Sequence, residues 1–224
     1  MNEQNLPATI QDVLAGLPAV ANDAESFALV SKSSAFLPRI QLFGGNSGAC
    51  KEGKIGIGRY GLVKSKEQII DLGAEVDVLP IAWRPKAMRI AGDNILTVFK
   101  PGNPEFGKIM AGSEVQNSGC MFGPEYMLWI PSVHELATFF MSSKTARREA
   151  PNLQALLAKK SPATLKAKLI KTEKFIWHGP VVTICSTPFD LPDPAELMEE
   201  VQKFTTVPET DVETVEPGTA TRDR

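Results

Sequence analysis

Short apolar runs separated by glycine- and proline-containing turns recur from Phe36 to Cys185. A chain punctuated in this way buries itself as β-strands, because runs this short close too little surface as helices, and glycine and proline break the periods in between. Phe36–Phe43, Gln68–Leu72, Val76–Trp83, Ile95–Phe99, Tyr126–Ile130, Leu136–Met141 and Val181–Cys185 read as strands, and Ala163–Ile176 alternates as a longer one whose opposite face carries Lys166 and Lys168. His178-Gly179-Pro180 is the expected turn between the last two. Helical pieces are few. Glu105–Met110 is one, and Ser142 or Ser143 caps a second that holds Lys144, Arg147 and Arg148. Pro151 fits the first turn of another helix, Asn152–Lys159, and an acidic helix spans Ala195–Phe204. The expected fold is mainly β (α+β), a small barrel or β-sandwich with short helices.

Charge is segregated along this framework. Before Lys32 there are four acids and no Lys or Arg, giving −4; from Lys32 to Trp177 there are 21 Lys+Arg against 12 Asp+Glu, giving +9. Beyond Trp177, 3 Lys+Arg face 10 Asp+Glu, giving −7. The division predicts an acidic N-terminal arm (1–35), a basic β-rich core domain (36–187), an acidic helix (188–207) and a disordered acidic tail (208–224), which has no aromatic residue and no Leu or Ile. A basic body attracts polyanions, and acidic ends compete with them. Cys50, Cys120 and Cys185 are odd in number and far apart, as reduced cytoplasmic thiols are. With no apolar run long enough to cross a membrane, a cytoplasmic location is expected and no membrane partner.

Catalytic signatures are missing. Gly56-Ile57-Gly58-Arg59-Tyr60-Gly61 matches a dinucleotide-binding pattern, but it lacks the buried strand before it and the helix after it. The two histidines, His134 and His178, stand at no metal spacing from a cysteine, and a Cys185–His178 nucleophile pair is less in keeping with an apolar strand than a small core residue. No enzymatic activity, metal or cofactor is expected.

Aromatic residues interleaved with cations remain. Rings stack on bases and cations pair with phosphates, so such segments suit nucleic acid. The strongest is Ser118–Arg148, in which Tyr126 and Trp129 precede the cationic turn of Lys144, Arg147 and Arg148. Arg59 and Tyr60 in the glycine-rich Gly44–Gly61 loop, Trp83 with Arg84, Lys86 and Arg89 directly after a strand, and the pair Lys166 and Lys168 complete the candidates. Trp83 reads equally as a core ring, and the two lysines also read as a solvated strand edge that discourages aggregation.

Leu37-Pro38-Arg39-Ile40-Gln41-Leu42, the glycine-rich loop and Leu79-Pro80-Ile81 with Trp83-Arg84-Pro85-Lys86 resemble a group of bacteriophage proteins, some of which are similar to phage single-stranded-DNA-binding proteins. The resemblance covers about residues 36 to 187. It implies an OB-like barrel, sequence-tolerant binding of single-stranded DNA in phage replication or recombination, and an acidic C-terminal end that recruits replication or recombination proteins. This chain ends Thr221-Arg222-Asp223-Arg224, whereas such tails usually finish in acids and an aromatic. The alternative is a phage structural or assembly protein, without DNA-binding or catalytic activity, that forms homo-oligomers.

Overall fold

The structure is a computed structural model that describes residues 37–65, 67–92, 94–115, 117–173, 175–186, 193–206 and 210–214, apart from the side chains of residues 195, 196 and 210–214. The acidic arm, residues 1–35, lies outside the described residues. In chain order the elements are β1 (Arg39–Leu42), α1 (Gly48–Lys51), β2 (Tyr60–Val63), β3 (Ile69–Gly73), β4 (Glu75–Ala91), β5 (Asn94–Val98), α2 (Pro104–Gly112), β6 (Cys120–Ile130) and β7 (Glu135–Phe140). α3 (Lys144–Ala158), β8 (Ala163–Lys171), β9 (Ile176–Ile184), α4 (Pro194–Thr205) and β10 (Thr210–Thr214) follow.

Everything hangs on β4. At 17 residues it is too long for a single partner, and it pairs in succession with β8 through Glu75–Val78, with β6 through Leu79–Arg89, and with β5 through Ala87–Ala91, all antiparallel. Its partner changes from β8 to β6 between Val78 and Leu79, and a register shift between Pro80 and Ala82 marks a bulge just inside the β6 pairing. The main sheet runs β10-β5-β4-β6-β7-β1-β2-β3, and β8 and β9 form a hairpin branching from the start of β4. The chain is therefore mainly β, as the runs and turns indicate, but it is not a closed barrel. Its path ends in two separate edge strands, β10 and β3.

Alternation along β4 and β6 places different residues on the two faces of the sheet. Trp83 and Pro85, opposite Tyr126 and Pro124, share one face; Ala82, Arg84 and Lys86, with Glu125 and Met127, share the other. α3 covers the first face. Its stripe of Ala146, Ala150, Leu153 and Leu156 is buried in a core that includes Tyr126, Tyr60, Val78 and Leu165. α4 covers the second face, burying Leu197, Val201 and Phe204 against Leu79, Ile81, Ala82, Met127 and Trp129. A third cluster joins Phe106 and Ile109 of α2, whose Asn103 cap accepts from the Glu105 N–H, to Ala87 and Val98.

Several sequence expectations change. β4 does not end at Trp83, so Arg84, Lys86 and Arg89 belong to a strand and not to a cationic turn after one. The expected pair of helices around Pro151 is one helix: Ser143 caps it, its side chain accepting from Ala146 N, and the buried stripe continues past the proline. Pro151 forfeits only its own donation to the Arg147 carbonyl. The hairpin turn falls at Thr172–Phe175, closed by Thr172 N–H to the Phe175 carbonyl at 2.8 Å and by the Thr172 hydroxyl, so His178-Gly179-Pro180 is part of β9. The acidic helix packs on the sheet through Leu197, Val201 and Phe204. Nor is the whole tail disordered: Thr210–Thr214 pairs with β5.

Gly123 is the tightest point of this packing. A Cβ there would collide with the Met141 carbonyl, where β7 passes into α3. Gly123→Ala is expected to lower the urea midpoint by the equivalent of about 1–3 kcal/mol, the typical cost of overpacking. An unchanged midpoint would mean that the junction between β7 and α3 yields freely.

Candidate nucleic-acid interface

The structure distributes the cation and ring candidates unevenly. Tyr60 and Tyr126 are wholly buried, and Trp129 is only 8% exposed, edge-on to His134. None of the three can stack on a base, which corrects the expectation for them; the inward phase of the alternating strands places each ring in the core. The Tyr126 hydroxyl donates to the Ala150 carbonyl at 2.9 Å, tying β6 to α3, and burial pushes it up to about 12. Burial likewise raises Tyr60, with the Glu149 charge adding to it.

Arg84 and Lys86 are also withdrawn. Both reach the buried Glu125 carboxylate at 2.7 Å, Arg84 donates to the Phe204 carbonyl at 2.7 Å, and its guanidinium sits 4.2 and 4.1 Å from the Phe99 and Phe204 ring centroids. Arg84 anchors α4 to β4, and both cations are committed to Glu125. Burial alone would raise the Glu125 carboxyl, but the Lys86 and Arg84 charges outweigh it and hold the group below the usual carboxylate range.

Other cations are paired near the surface. Arg59 grips Asp71 at 2.7 and 2.9 Å, Arg89 faces Glu105 at 3.6 Å and Lys166 meets Glu75 at 2.9 Å. Glu114 takes Lys144 at 3.2 Å and Arg147 at 2.8 Å; the hydrogen bond from Lys144 is the largest influence keeping its carboxyl low. Arg147 further donates to the Phe122 and Ser142 carbonyls. Among the described residues, Arg148 and Lys168 are exposed and make no ion pair.

A ring that the sequence reading missed shares the hairpin face of Lys168 and meets α3 near Arg148. Trp177, 37% exposed, lies opposite Ile170 on the hairpin face shared by Lys166 and Lys168. Its indole N–H points to the Thr145 hydroxyl at 3.3 Å. Thr145 and Arg148 are three residues apart on α3 and so lie on neighbouring turns of one helix flank. The Val182 N–H donates to Glu149 at 3.1 Å, fixing α3 along the edge of β9. Phe175, 69% exposed at the turn, extends the surface, whereas Lys171, opposite Ile176, lies on the other face of the hairpin. The signal was present as Phe175-Ile176-Trp177 following Lys171, but placing the turn at His178 hid it.

On the other flank of α3, Arg147, Pro151 and Gln154 line a groove whose sheet side is Trp83, Pro85, Phe122 and Pro124. Trp83, half-buried, thus packs on the core and also borders this groove.

No known protein family matches the chain, and neither does any curated protein or solved structure. The class that the fold defines is a mainly β protein, built on an open sheet with a branching hairpin and a helix on either face. Among the described residues no three His, Cys, Asp or Glu side chains converge as metal ligands, and no helix is long and apolar enough to cross a membrane.

Proposed function

We propose that this chain binds single-stranded DNA, without strong sequence preference, on the surface formed by the β8–β9 hairpin and the first turns of α3. The observation that carries the reading is Trp177, exposed on the hairpin face that bears the unpaired Lys168 and bonded to Thr145, three residues from the unpaired Arg148 on α3. An exposed indole offers a stacking platform that accepts any base, and adjacent unpaired cations neutralise phosphate without first breaking a salt bridge. Lys144, Arg147 and Lys166, which the sequence reading grouped with them, are tied to the Glu114 and Glu75 carboxylates and are secondary to this surface. The role is non-catalytic and cytoplasmic; its place in phage replication or recombination rests on the resemblance of the Leu37–Lys86 segments.

A second reading has its own observation. The opposite face of the hairpin exposes Leu169 and Ile176, the latter 63% exposed, and apolar side chains of this size on a projecting hairpin suit contact between proteins. A structural or assembly protein that self-associates through this face is the alternative.

Titration of the intrinsic tryptophan fluorescence with a poly-dT oligonucleotide at low and high salt separates the two. Quenching that weakens steeply with salt is expected. Unchanged fluorescence at low salt, no mobility shift of a labelled oligonucleotide and sedimentation as an oligomer would overturn strand binding in favour of assembly.

A further inference from the structure

We propose that the groove beside α3 receives one unstacked nucleobase of the same strand, an inference that rests on the single-strand reading above. The groove has a volume of about 260 Å³. Its floor comes from one face of the β4–β6 ladder, where Pro85 stands directly opposite Pro124. Proline has no N–H, so this floor offers apolar rings in place of donors and suits a flat uncharged ring better than a phosphate. Trp83 and Phe122 continue the same face on either side of the proline pair.

The polar groups at the rim act differently. Arg147 is held by the Phe122 carbonyl at 3.2 Å, the Ser142 carbonyl at 2.7 Å and Glu114 at 2.8 Å, so its charge is balanced and its orientation set. Gln154 is exposed and makes no hydrogen bond among the described residues. Its amide carries both a donor and an acceptor, the combination that the edge of a base requires.

Charge complementarity selects the occupant. On α3, Arg147, Pro151 and Gln154 form the flank toward the groove, Thr145 the flank toward Trp177, and the unpaired Arg148 lies on the outward arc between them. A strand that stacks one base on Trp177 and lays its phosphate on Arg148 crosses a helix roughly 10 Å wide before reaching the groove. A polyanion with aromatic side groups fits this order of ring, cation and apolar slot. A proline-rich peptide would use the slot and leave Arg148 without a partner.

The test measures the affinity of the full chain for a twelve-nucleotide dT strand and for a twelve-unit abasic sugar-phosphate strand. It compares wild type, Trp83→Ala, Gln154→Ala and Trp177→Ala, with thermal melts as a control of folding. Trp83→Ala is expected to weaken dT binding by about 5- to 150-fold, the worth of one stacked base, and to leave abasic binding within about twofold. Gln154→Ala, at an exposed position that folding tolerates, is expected to weaken dT binding by about 2- to 12-fold, the worth of a hydrogen bond. It carries the test alone if Trp83→Ala does not fold. If Trp177→Ala weakens binding while Gln154→Ala and a folded Trp83→Ala do not, the groove inference falls and the single-strand reading stands. If wild type binds neither strand, both fall. Binding of a proline-rich peptide that Trp83→Ala abolishes, with dT affinity unmoved, would give the groove to a protein partner.

Discussion

Glu125→Gln is expected to destabilise the fold by about 3–5 kcal/mol, the cost of leaving buried cations without their counter-charge. Glu125 is 3% exposed and is the carboxylate that receives both Arg84 and Lys86 at 2.7 Å. The amide keeps the shape and one acceptor oxygen but removes the charge, and both cations then sit against the Phe99, Phe204 and Phe140 rings with much less compensation. Because Arg84 also donates to the Phe204 carbonyl, the loss extends to the docking of α4. Urea denaturation should show a lower midpoint with an unchanged slope. Replacing Arg84, Lys86 and Glu125 together by apolar residues should recover most of the loss, since a buried ion cluster is worth little against a packed apolar one. A loss below about 1 kcal/mol for Glu125→Gln would show that water reaches both cations.

The same carboxylate makes stability depend on pH. Its folded-state pKa lies below the unfolded value, so its contribution is fully present above the ordinary carboxylate range and disappears as pH falls through the lowered folded value. Urea midpoints measured downward from neutral pH should therefore fall in wild type. In Glu125→Gln that part of the dependence should be missing. Identical profiles would assign acid sensitivity to other carboxylates.

Trp177→Ala is expected to weaken poly-dT binding by about 1–3 kcal/mol, the contribution of one stacked base, which is about 5- to 150-fold in affinity. Lys168→Gln with Arg148→Gln should act in a different manner. Each lost phosphate contact lowers the slope of log K against log salt by about 0.7 for a single strand, so the pair should flatten it by about 1.4 and weaken binding equally across sequences. Trp129→Phe provides the contrast, because that ring is buried against α4 and reaches no base. Binding unaffected by Trp177→Ala, together with an unchanged salt slope in the double variant, would remove the hairpin and α3 as the interface.

Much of the framework was legible because its signals are local. Period-two alternation and glycine or proline punctuation marked most strands, a serine cap opened α3, and the leucine spacing gave Leu153 and Leu156 of its buried stripe but not Ala146 and Ala150. Turn placement failed where two local signals competed: Gly179-Pro180 has the stronger turn composition, but Thr172 closes the turn with its hydroxyl and the strand pairing runs on to Lys171 and Ile176. Aromatic residues were the hardest to assign. Tyr60, Tyr126 and Trp129 sit in runs that look no different from the one holding Trp177, because alternation says which residues share a face and not which face is covered.

The sequence by itself determined a mainly β chain with a cationic body, a few short helices and a cluster of rings among lysines and arginines, since composition and short-range periodicity depend only on neighbours along the chain. Tertiary structure alone decided which cations are free and which rings are exposed. Arg84 and Lys86 are engaged by Glu125, about 40 positions away, Arg147 and Lys144 by Glu114, and Arg148, Lys168 and Trp177 came together only when β9 paired with β8 and packed along α3. Ion pairing and burial are properties of groups brought together across long stretches of chain, and local sequence carries no record of which partner arrives.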